Sequence, residues 1–242
     1  MVAASDDNAG TLRDAWEDAA QEWIVWARSE ELDHAFWRLN LPSLLELMPA
    51  PGRLTVDVGC GEGRVARVLR ERGHTVVGVE SSPALVEAAR AADPGFDVHL
   101  AGAERIPLAD RAADLVVASM VLQSLDDPEA VMGEIARVLG PDGMVCATFV
   151  HPLSTLDDLD EGASYFDVVR FADRLEREAG SMTFHDVHRP LAAYMRLFED
   201  AGFVIDAVRE PQPDDDHVAA FPDAAMWRHR PLFLQVRALR RF

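Results

Sequence analysis

The chain has 242 residues, of which 49% are hydrophobic, so it can bury the core of one large domain. Its formal net charge of -19 disfavours nucleic acid as a partner, because phosphate groups would be repelled. Two cysteines, no apolar run of membrane-spanning length and no signal-peptide pattern predict a cytoplasmic protein with neither a disulfide framework nor a membrane partner.

The N-terminal region, residues 11–48, has the spacing of an amphipathic helix. Trp16, Trp23 and Trp26 recur on one stripe at helical intervals, together with two alanines. The segment "LMPAPGR" then interrupts the chain with two prolines and a glycine. This break divides the chain into a helical segment, residues 1–48, and a main domain, residues 49–242.

Short β-rich runs alternate with helical runs through the first part of the main domain. The predicted strands are "RLTVDV", "TVVGVE", "FDVHLAG", "ADLVVASM" and "GMVCATFV". The predicted helices between them are "EGRVARVLRERG", "SPALVEAARAA" and "DPEAVMGEIARVLG". Alternation of this kind predicts right-handed crossovers and a parallel sheet covered by helices on both faces.

The alternation stops over residues 151–189, which are rich in acidic and aromatic residues and are expected to hold at most short helices. An insertion of this length in a compact domain is typical of a functional or mobile segment. A helix over "RPLAAYMRLFEDAG" and two final strands, "FVIDAVRE" and "PLFLQVRAL", complete the chain.

A glycine-rich loop joins the first predicted strand to the first helix, in "LTVDVGCGEGRVARVL". Ligands of parallel sheets bind at this end of the strands, and glycines let them lie against bare backbone. A dinucleotide fingerprint, G-x-G-x-x-G, would need glycine at position 64, where the chain has Arg64. The pattern present is D-x-G-x-G-x-G, formed by Asp57, Gly59, Gly61 and Gly63.

This pattern resembles the first motif of the class I S-adenosylmethionine-dependent methyltransferases. Glu80 ends the second strand, where an acid can accept hydrogen bonds from ribose hydroxyls. The segment "ARVLGPDG" is similar to the Arg-Val-Leu-x-Pro-Gly-Gly ending of a helix in the small-molecule group of that family. The resemblance covers roughly residues 50 to 240 in the order the fold requires.

The resemblance implies an α/β fold with a doubly wound, Rossmann-like, seven-stranded sheet, mostly parallel with an antiparallel final strand and helices on both faces. It implies transfer of a methyl group from S-adenosylmethionine to a small organic acceptor, at an O-, N- or C-nucleophile, leaving S-adenosylhomocysteine. The cofactor residues it implies are Asp57, Gly59, Cys60, Gly61, Gly63, Glu80, Ser81, Ala103, Glu104, Ser119 and Met120.

Two positions depart from the family pattern. Relatives often carry an aspartate where this chain has Gly102, and many carry a histidine pair where it has Gln123 and Ser124. A catalytic role for those histidines does not transfer, and backbone groups at Ala103, or Glu104, would have to contact the adenine.

A general base suited to pH 7 would be a histidine, and His151, His185 and His188 are the candidates. His185 and His188 could equally be ordinary surface residues, and without a third ligand we expect no metal site. In relatives an N-terminal helix commonly roofs the active site. We therefore expect residues 1–48 to form a lid segment with a lid insertion at about 151–189, and the acceptor to contact Trp23, Trp26, Gln123, Tyr165 and Phe184.

Two other functions remain open from the sequence. One is an NAD-dependent oxidoreductase, and the other is a non-enzymatic regulatory protein that binds S-adenosylmethionine on the same fold. A small-molecule acceptor is the expected partner, and the chain is expected to be a monomer or a homodimer.

Overall fold

The structure is a computed structural model that describes residues 10–159 and 162–241. The predicted lid segment 1–48 is therefore described only from residue 10 onwards, and its first nine residues lie outside the described part. Over the described ranges, no helix combines the length and the apolar character needed to cross a bilayer.

The described part contains nine strands and eight α-helices. The strands are β1 (Thr55–Val58), β2 (Val76–Glu80), β3 (Asp97–Leu100), β4 (Ala113–Ser119), β5 (Leu139–Val150), β6 (Val169–Arg177), β7 (Gly180–His188), β8 (Phe203–Arg209) and β9 (Phe233–Arg240). The helices are α1 (Leu12–Asp18), α2 (Ala20–Arg28), α3 (Leu41–Leu47), α4 (Arg64–Glu71), α5 (Pro83–Ala92), α6 (Pro128–Val138), α7 (Leu191–Asp200) and α8 (Asp215–Ala220). A π-helix, Ala35–Asn40, leads directly into α3.

Seven strands form one sheet in the order β3-β2-β1-β4-β5-β9-β8. Neighbours from β3 to β5 pair in parallel, whereas β9 pairs antiparallel with both β5 and β8. The predicted fold class, a mostly parallel doubly wound sheet with an antiparallel final strand, is confirmed.

Helices cover both faces of the sheet because the strands alternate buried apolar side chains between them. On one face, α6 and α7 pack through residues such as Ile135 and Phe198. On the other face, α3, α4 and α5 pack through residues such as Leu44, Leu69 and Val86. Strands β1 and β2 are buried along their whole length, as expected for parallel strands covered on both faces, and each has a carboxylate near its carboxyl end, Asp57 and Glu80.

The expectation of at most short helices between residues 151 and 189 is wrong. A short 3-10 helix, Ser154–Asp158, is followed by the two-stranded antiparallel hairpin β6–β7. The hairpin packs against α1 and α2, where Trp26 and Met182 belong to a separate buried cluster. Together α1, α2, residues 29–40 and the β6–β7 hairpin form a layer that we call the roof.

A buried polar network joins the roof to the sheet. The Asn40 side chain accepts hydrogen bonds from Thr148 Oγ1 on β5 at 3.0 Å and from Gln235 Nε2 on β9 at 2.9 Å. Ser43 Oγ in turn donates to Gln235 Oε1 at 2.8 Å. Because Asn40, Thr148 and Gln235 are buried, these bonds fix the position of the N-terminal segment over the sheet.

Candidate active site

A cavity of about 760 Å³ lies between the roof and the carboxyl ends of the parallel strands. Below it are the loops that follow β1, β2 and β4, namely residues 57–64, 80–81 and 119–123, which we call the floor. Its volume is typical of a small-molecule site, and its position is the one at which open α/β sheets bind ligands.

The glycine loop of the floor is closely approached by the chain's own side chains. Gly59 and Gly61 have φ angles of 62° and 57°, in the left-handed region that disfavours side chains. A Cβ at Gly59 would lie 2.6 Å from Val121 Cγ2, and one at Gly61 would lie 3.1 Å from Trp23 Nε1. Glycines are needed here because the loop lies between the roof and the end of β4, where there is no room for side chains.

Glu80 holds the glycine loop and the start of α5 together. Its Oε2 accepts from the Gly61 N–H at 2.9 Å, and its Oε1 accepts from the Ser81 and Ser82 N–H groups at 2.8 Å. Burial raises the pKa of Glu80, while these three backbone donors act to lower it. A carboxylate has about four lone-pair sites, so the three backbone donors leave Glu80 about one site for a hydroxyl group of a ligand.

Unsatisfied polar atoms mark the floor beside Glu80. Asp57 Oδ2 and Ser119 Oγ are buried without a hydrogen-bond partner among the described residues. Burial, and then the charge of Glu80, raises the pKa of Asp57 to about 7. Met120, next to Ser119, has a φ of 61°, a costly conformation for this residue that is typical of functional positions. These groups fit a polar ligand that donates hydrogen bonds or carries positive charge.

Arg64, at the first position of α4, joins the floor to the roof. Its Nη1 lies 2.6 Å from Asp33 Oδ2, and its guanidinium carbon lies 3.3 Å from the ring centroid of Phe36 and 4.6 Å from that of Trp23. A dinucleotide fingerprint needs glycine at this position. This chain instead uses the side chain there to bind the N-terminal segment.

A second ion pair lies beside Gly102. Arg13 Nη2 on α1 lies 3.0 Å from Glu104 Oε2, next to the predicted adenine position. A Cβ at Gly102 would meet the ends of both side chains, which would have to move to make room for it. The roof thus reaches the position at which relatives carry an aspartate.

Most of the predicted cofactor and acceptor residues line the cavity, although their individual roles remain predictions. Those on the cavity wall are Asp57, Gly59, Cys60, Gly61, Glu80, Ser81, Ala103, Glu104, Ser119, Met120, Trp23, Trp26, Gln123 and Phe184. Gly63 is not on the wall, because as the N-cap of α4 it faces Arg67 and Phe96. Tyr165 is also absent from it, and its hydroxyl accepts from the Leu191 N–H at 2.9 Å.

None of the three candidate histidines lines the cavity. His151 is buried with its Nε2 3.0 Å from Glu210 Oε1, and burial lowers its pKa. His188 is fully buried, where its ring nitrogens contact Thr155 Oγ1 at 2.6 Å and the Tyr165 carbonyl at 2.9 Å. The geometry gives no support to a catalytic role for them.

The position of His185 follows from the hairpin's two-residue period. His185 pairs with Ala172, on the face opposite to the one that meets the cavity. The inner face instead carries Asp173 and Asp186, which the sequence analysis missed. Their signal was the alternation around them, "VRFADRLER" and "GSMTFHDVH", in which both acids occupy inward positions.

No metal centre is indicated. Over the ranges that the structure describes, no three His, Cys, Asp or Glu side chains group as a metal site would require. Cys60 and Cys146 are both buried free thiols, and burial raises the pKa of each, so neither is an activated nucleophile.

The similarities to known proteins agree with the fold and with the position of the cavity. A family model described as a methyltransferase domain matches residues 56–147, which contain the whole floor. Trans-aconitate 2-methyltransferase of Methylobacterium radiotolerans is 29% identical over 197 residues, covering 71% of this chain and 75% of that protein. A crystal structure of an S-adenosylmethionine-dependent methyltransferase from Mesorhizobium loti superimposes with a TM-score of 0.69 at 27% identity, covering 85% of this chain and 98% of that one.

A more local relative is the malonyl-[acyl-carrier protein] O-methyltransferase of Serratia marcescens, which is 35% identical over 95 residues. That match covers 39% of this chain and only 37% of the relative's length. The family match over residues 56–147, the shared fold and a cavity built on the glycine loop and Glu80 identify in this chain a methyltransferase domain of the class I, S-adenosylmethionine-dependent type, with S-adenosylmethionine as its cofactor.

Proposed function

We propose that this protein transfers a methyl group from S-adenosylmethionine to a small organic acceptor, at an O-, N- or C-nucleophile. The observation that carries the proposal is one continuous cavity. It joins the unsatisfied polar atoms of the floor to an aromatic wall of the roof, so that it has room for a cofactor and an acceptor side by side.

The residues present fit the cofactor. Glu80 is suited to accept a ribose hydroxyl, in line with the family resemblance, and Asp57 is suited to the positively charged amino group. Bound S-adenosylmethionine supplies a methyl group on a cationic sulfur, ready for displacement.

The chain's own contribution is to position the reactants and to exclude water. Trp16, Trp23, Trp26 and Phe184 pack against one another over the cavity through edge-to-face ring contacts. Enclosure of this kind holds the acceptor in line with the methyl group and strengthens electrostatic interactions.

The relatives do not define the acceptor. One acts on a malonyl group held by an acyl-carrier protein and another acts on trans-aconitate, so the same fold serves different acceptors. Cytoplasmic location and a monomeric or homodimeric state likewise remain predictions from the sequence.

Calorimetry with S-adenosylhomocysteine and with NAD tests this proposal. We expect the nucleoside thioether to bind and NAD not to bind, because Arg64 is paired with Asp33 where a dinucleotide loop needs glycine. Glu80→Gln should weaken binding of S-adenosylhomocysteine at least about tenfold, through loss of hydrogen bonds to a charged acceptor.

Glu71→Gln, which neutralises an exposed carboxylate at the end of α4, is the matched control and should bind as the unmodified protein does. Absence of both heat and thermal shift with S-adenosylmethionine and its demethylated product would contradict the proposal. Binding without turnover on any acceptor of a phenol, amine and carboxylate screen would favour the non-enzymatic alternative.

A further inference from the structure

Two carboxylates of the hairpin face the acceptor side of the cavity. Asp173 pairs with Phe184 and Asp186 pairs with Phe171 across the hairpin, so all four side chains share its inner face. Asp186 is 4% exposed, and its Oδ1 accepts a hydrogen bond from Ser124 Oγ at 2.5 Å. Asp173 is half-buried on the same wall.

Among the described residues neither carboxylate forms an ion pair with an arginine, although the charge of Arg189, whose guanidinium donates to the Leu122 and Leu125 carbonyls, acts on Asp186. Three arginines line the cavity, and each is paired with another acid: Arg13 with Glu104, Arg64 with Asp33 and Arg177 with Asp223. Within residues 10–159 and 162–241, Asp173 and Asp186 have no cation within salt-bridge distance. Burial raises the pKa of both, that of Asp186 to about 6.

An independent observation comes from the floor, where Gln123 points to a ligand at the same place. Gln123 is 3% exposed on the cavity wall, and its Oε1 has no hydrogen-bond partner in the described part of the chain. A buried amide oxygen of this kind is expected to have a donor. Its neighbour Ser124 bonds to Asp186, so Gln123 and the hairpin carboxylates belong to one region.

Aromatic rings complete this region. Trp16 and Trp23 meet edge to face at 5.5 Å between ring centroids, and Phe184 meets Trp23 at 6.3 Å and Trp26 at 5.7 Å. Aromatic faces attract cations and also bury apolar groups. Unpaired carboxylates, an unsatisfied acceptor oxygen and aromatic rings are the groups that recognise an ammonium ion on an apolar body.

We propose that the acceptor is a small amine, bound as its ammonium form by Asp173, Asp186 and the Gln123 amide oxygen, with its apolar body against the tryptophans and Phe184. Before transfer, one of the two carboxylates takes a proton from the ammonium nitrogen and so frees its lone pair. The new N–C bond then forms as the bond between sulfur and the methyl carbon breaks, which leaves an N-methylammonium product and S-adenosylhomocysteine. This inference rests on the proposed methyltransferase function and names the acceptor class for the same cavity. Carboxylate acceptors are disfavoured because the cavity arginines already have partners.

The test uses the full chain saturated with S-adenosylhomocysteine and a panel of matched ligands. Each set holds one body with three head groups: 2-phenylethylamine, 2-phenylethanol and phenylacetate, and tryptamine, tryptophol and indole-3-acetate. Calorimetry should find amine affinities at least about tenfold above those of the matched alcohols, with the carboxylates weakest.

Asp173→Asn and Asp186→Asn should each weaken amine binding about tenfold while leaving the affinity for S-adenosylhomocysteine and for the alcohols unchanged. Asp200→Asn, at an exposed position at the end of α7, removes the same charge elsewhere and should change nothing. Thermal unfolding of each variant separates loss of binding from loss of fold.

Alcohols or carboxylates that bind as well as the amines, or a panel in which no amine binds, would overturn the amine proposal. If S-adenosylhomocysteine itself failed to bind, the proposed function would fall instead. The two failures are therefore distinguished by the first titration of the series.

Discussion

The floor and the roof of the cavity are stabilised in different ways. The floor follows buried parallel strands, and its loop is fixed by backbone hydrogen bonds to Glu80. The roof is held mainly by side chains, among them the buried Asn40 network, the Arg64–Asp33 ion pair, a small aromatic cluster and a hydrogen bond from Trp16 to the hairpin. The floor is therefore the stable frame, and the roof is the region expected to open at lower free energy.

Floor and roof also differ in the ligand that each is expected to bind, the shared cofactor for the floor and the acceptor for the roof. The floor has groups that suit a cofactor shared by a large family, and the family model matches there, over residues 56–147. The roof lies largely outside that range and carries Asp173, Asp186 and the tryptophans. Specificity for the acceptor is thus expected to reside in the more weakly held layer, as it commonly does in loops on a rigid scaffold.

The largest expected effect concerns the floor. Asp57→Asn should stabilise the ligand-free protein at pH 8 by up to about 4 kcal/mol, because it removes a buried carboxylate whose pKa is raised from 3.8 to about 7. A raised folded-state pKa means that the native state binds the extra proton, so the stability of the unmodified protein falls as pH rises from about 4 to 7. The gain from the substitution should accordingly be small near pH 4 and complete above pH 7.

Urea unfolding across this pH range measures the effect, and calorimetry should at the same time find weaker binding of S-adenosylhomocysteine. Asp200→Asn again serves as the matched control, with no pH-dependent gain expected from an exposed carboxylate. If the free energies of unfolding of the variant and of the unmodified protein differed by the same amount from pH 4 to pH 8, the pKa of Asp57 would not be raised in the folded protein.

A smaller effect is expected where floor and roof meet. Asp33→Asn leaves the buried guanidinium of Arg64 without its principal counter-charge, at a cost of about 3 kcal/mol. The exposed pair Arg38–Glu30 has the same N–O distance, 2.6 Å, so Glu30→Gln is a control that differs mainly in burial. That control should cost less than about 1 kcal/mol.

Urea unfolding followed by tryptophan fluorescence reports on both variants, because Trp23 stacks on Arg64. Equal costs for the two substitutions would contradict the view that this buried pair fastens the roof to the floor.

The floor could be predicted from the sequence because its signals are local. Strand-helix alternation, the glycine spacing and an acid at the end of β2 each follow from neighbouring residues. The hairpin could not be predicted in the same way, because the inner face of its strands borders a cavity instead of a hydrophobic core. Asp173 and Asp186 interrupt the alternation of apolar residues that would otherwise have indicated strands.

The remaining features that the sequence could not predict depend on partners far away in the chain. His151 stands at the end of β5, as expected, but it contacts Glu210 instead of the cavity. Gly102, which departs from the family pattern, lies beside the side chain of Arg13, a residue far away in the chain. Contacts of this kind depend on how the segments pack, and no spacing within one segment encodes them.

The smallest expected effect concerns the roof alone. Trp16→Phe keeps an aromatic ring but removes the Nε1 hydrogen bond to the His185 carbonyl at 3.0 Å, which links α1 to the hairpin. The cost in global stability should be about 1 kcal/mol. Trp37→Phe removes a bond of almost the same length, 3.1 Å to the Ala27 carbonyl, within the N-terminal segment. Amide hydrogen exchange should accelerate in β6 and β7 for the Trp16 variant and not for the Trp37 variant, while β1 and β4 keep their protection in both. Faster exchange in the central strands, or the same hairpin response in both variants, would mean that roof and floor open as one cooperative unit.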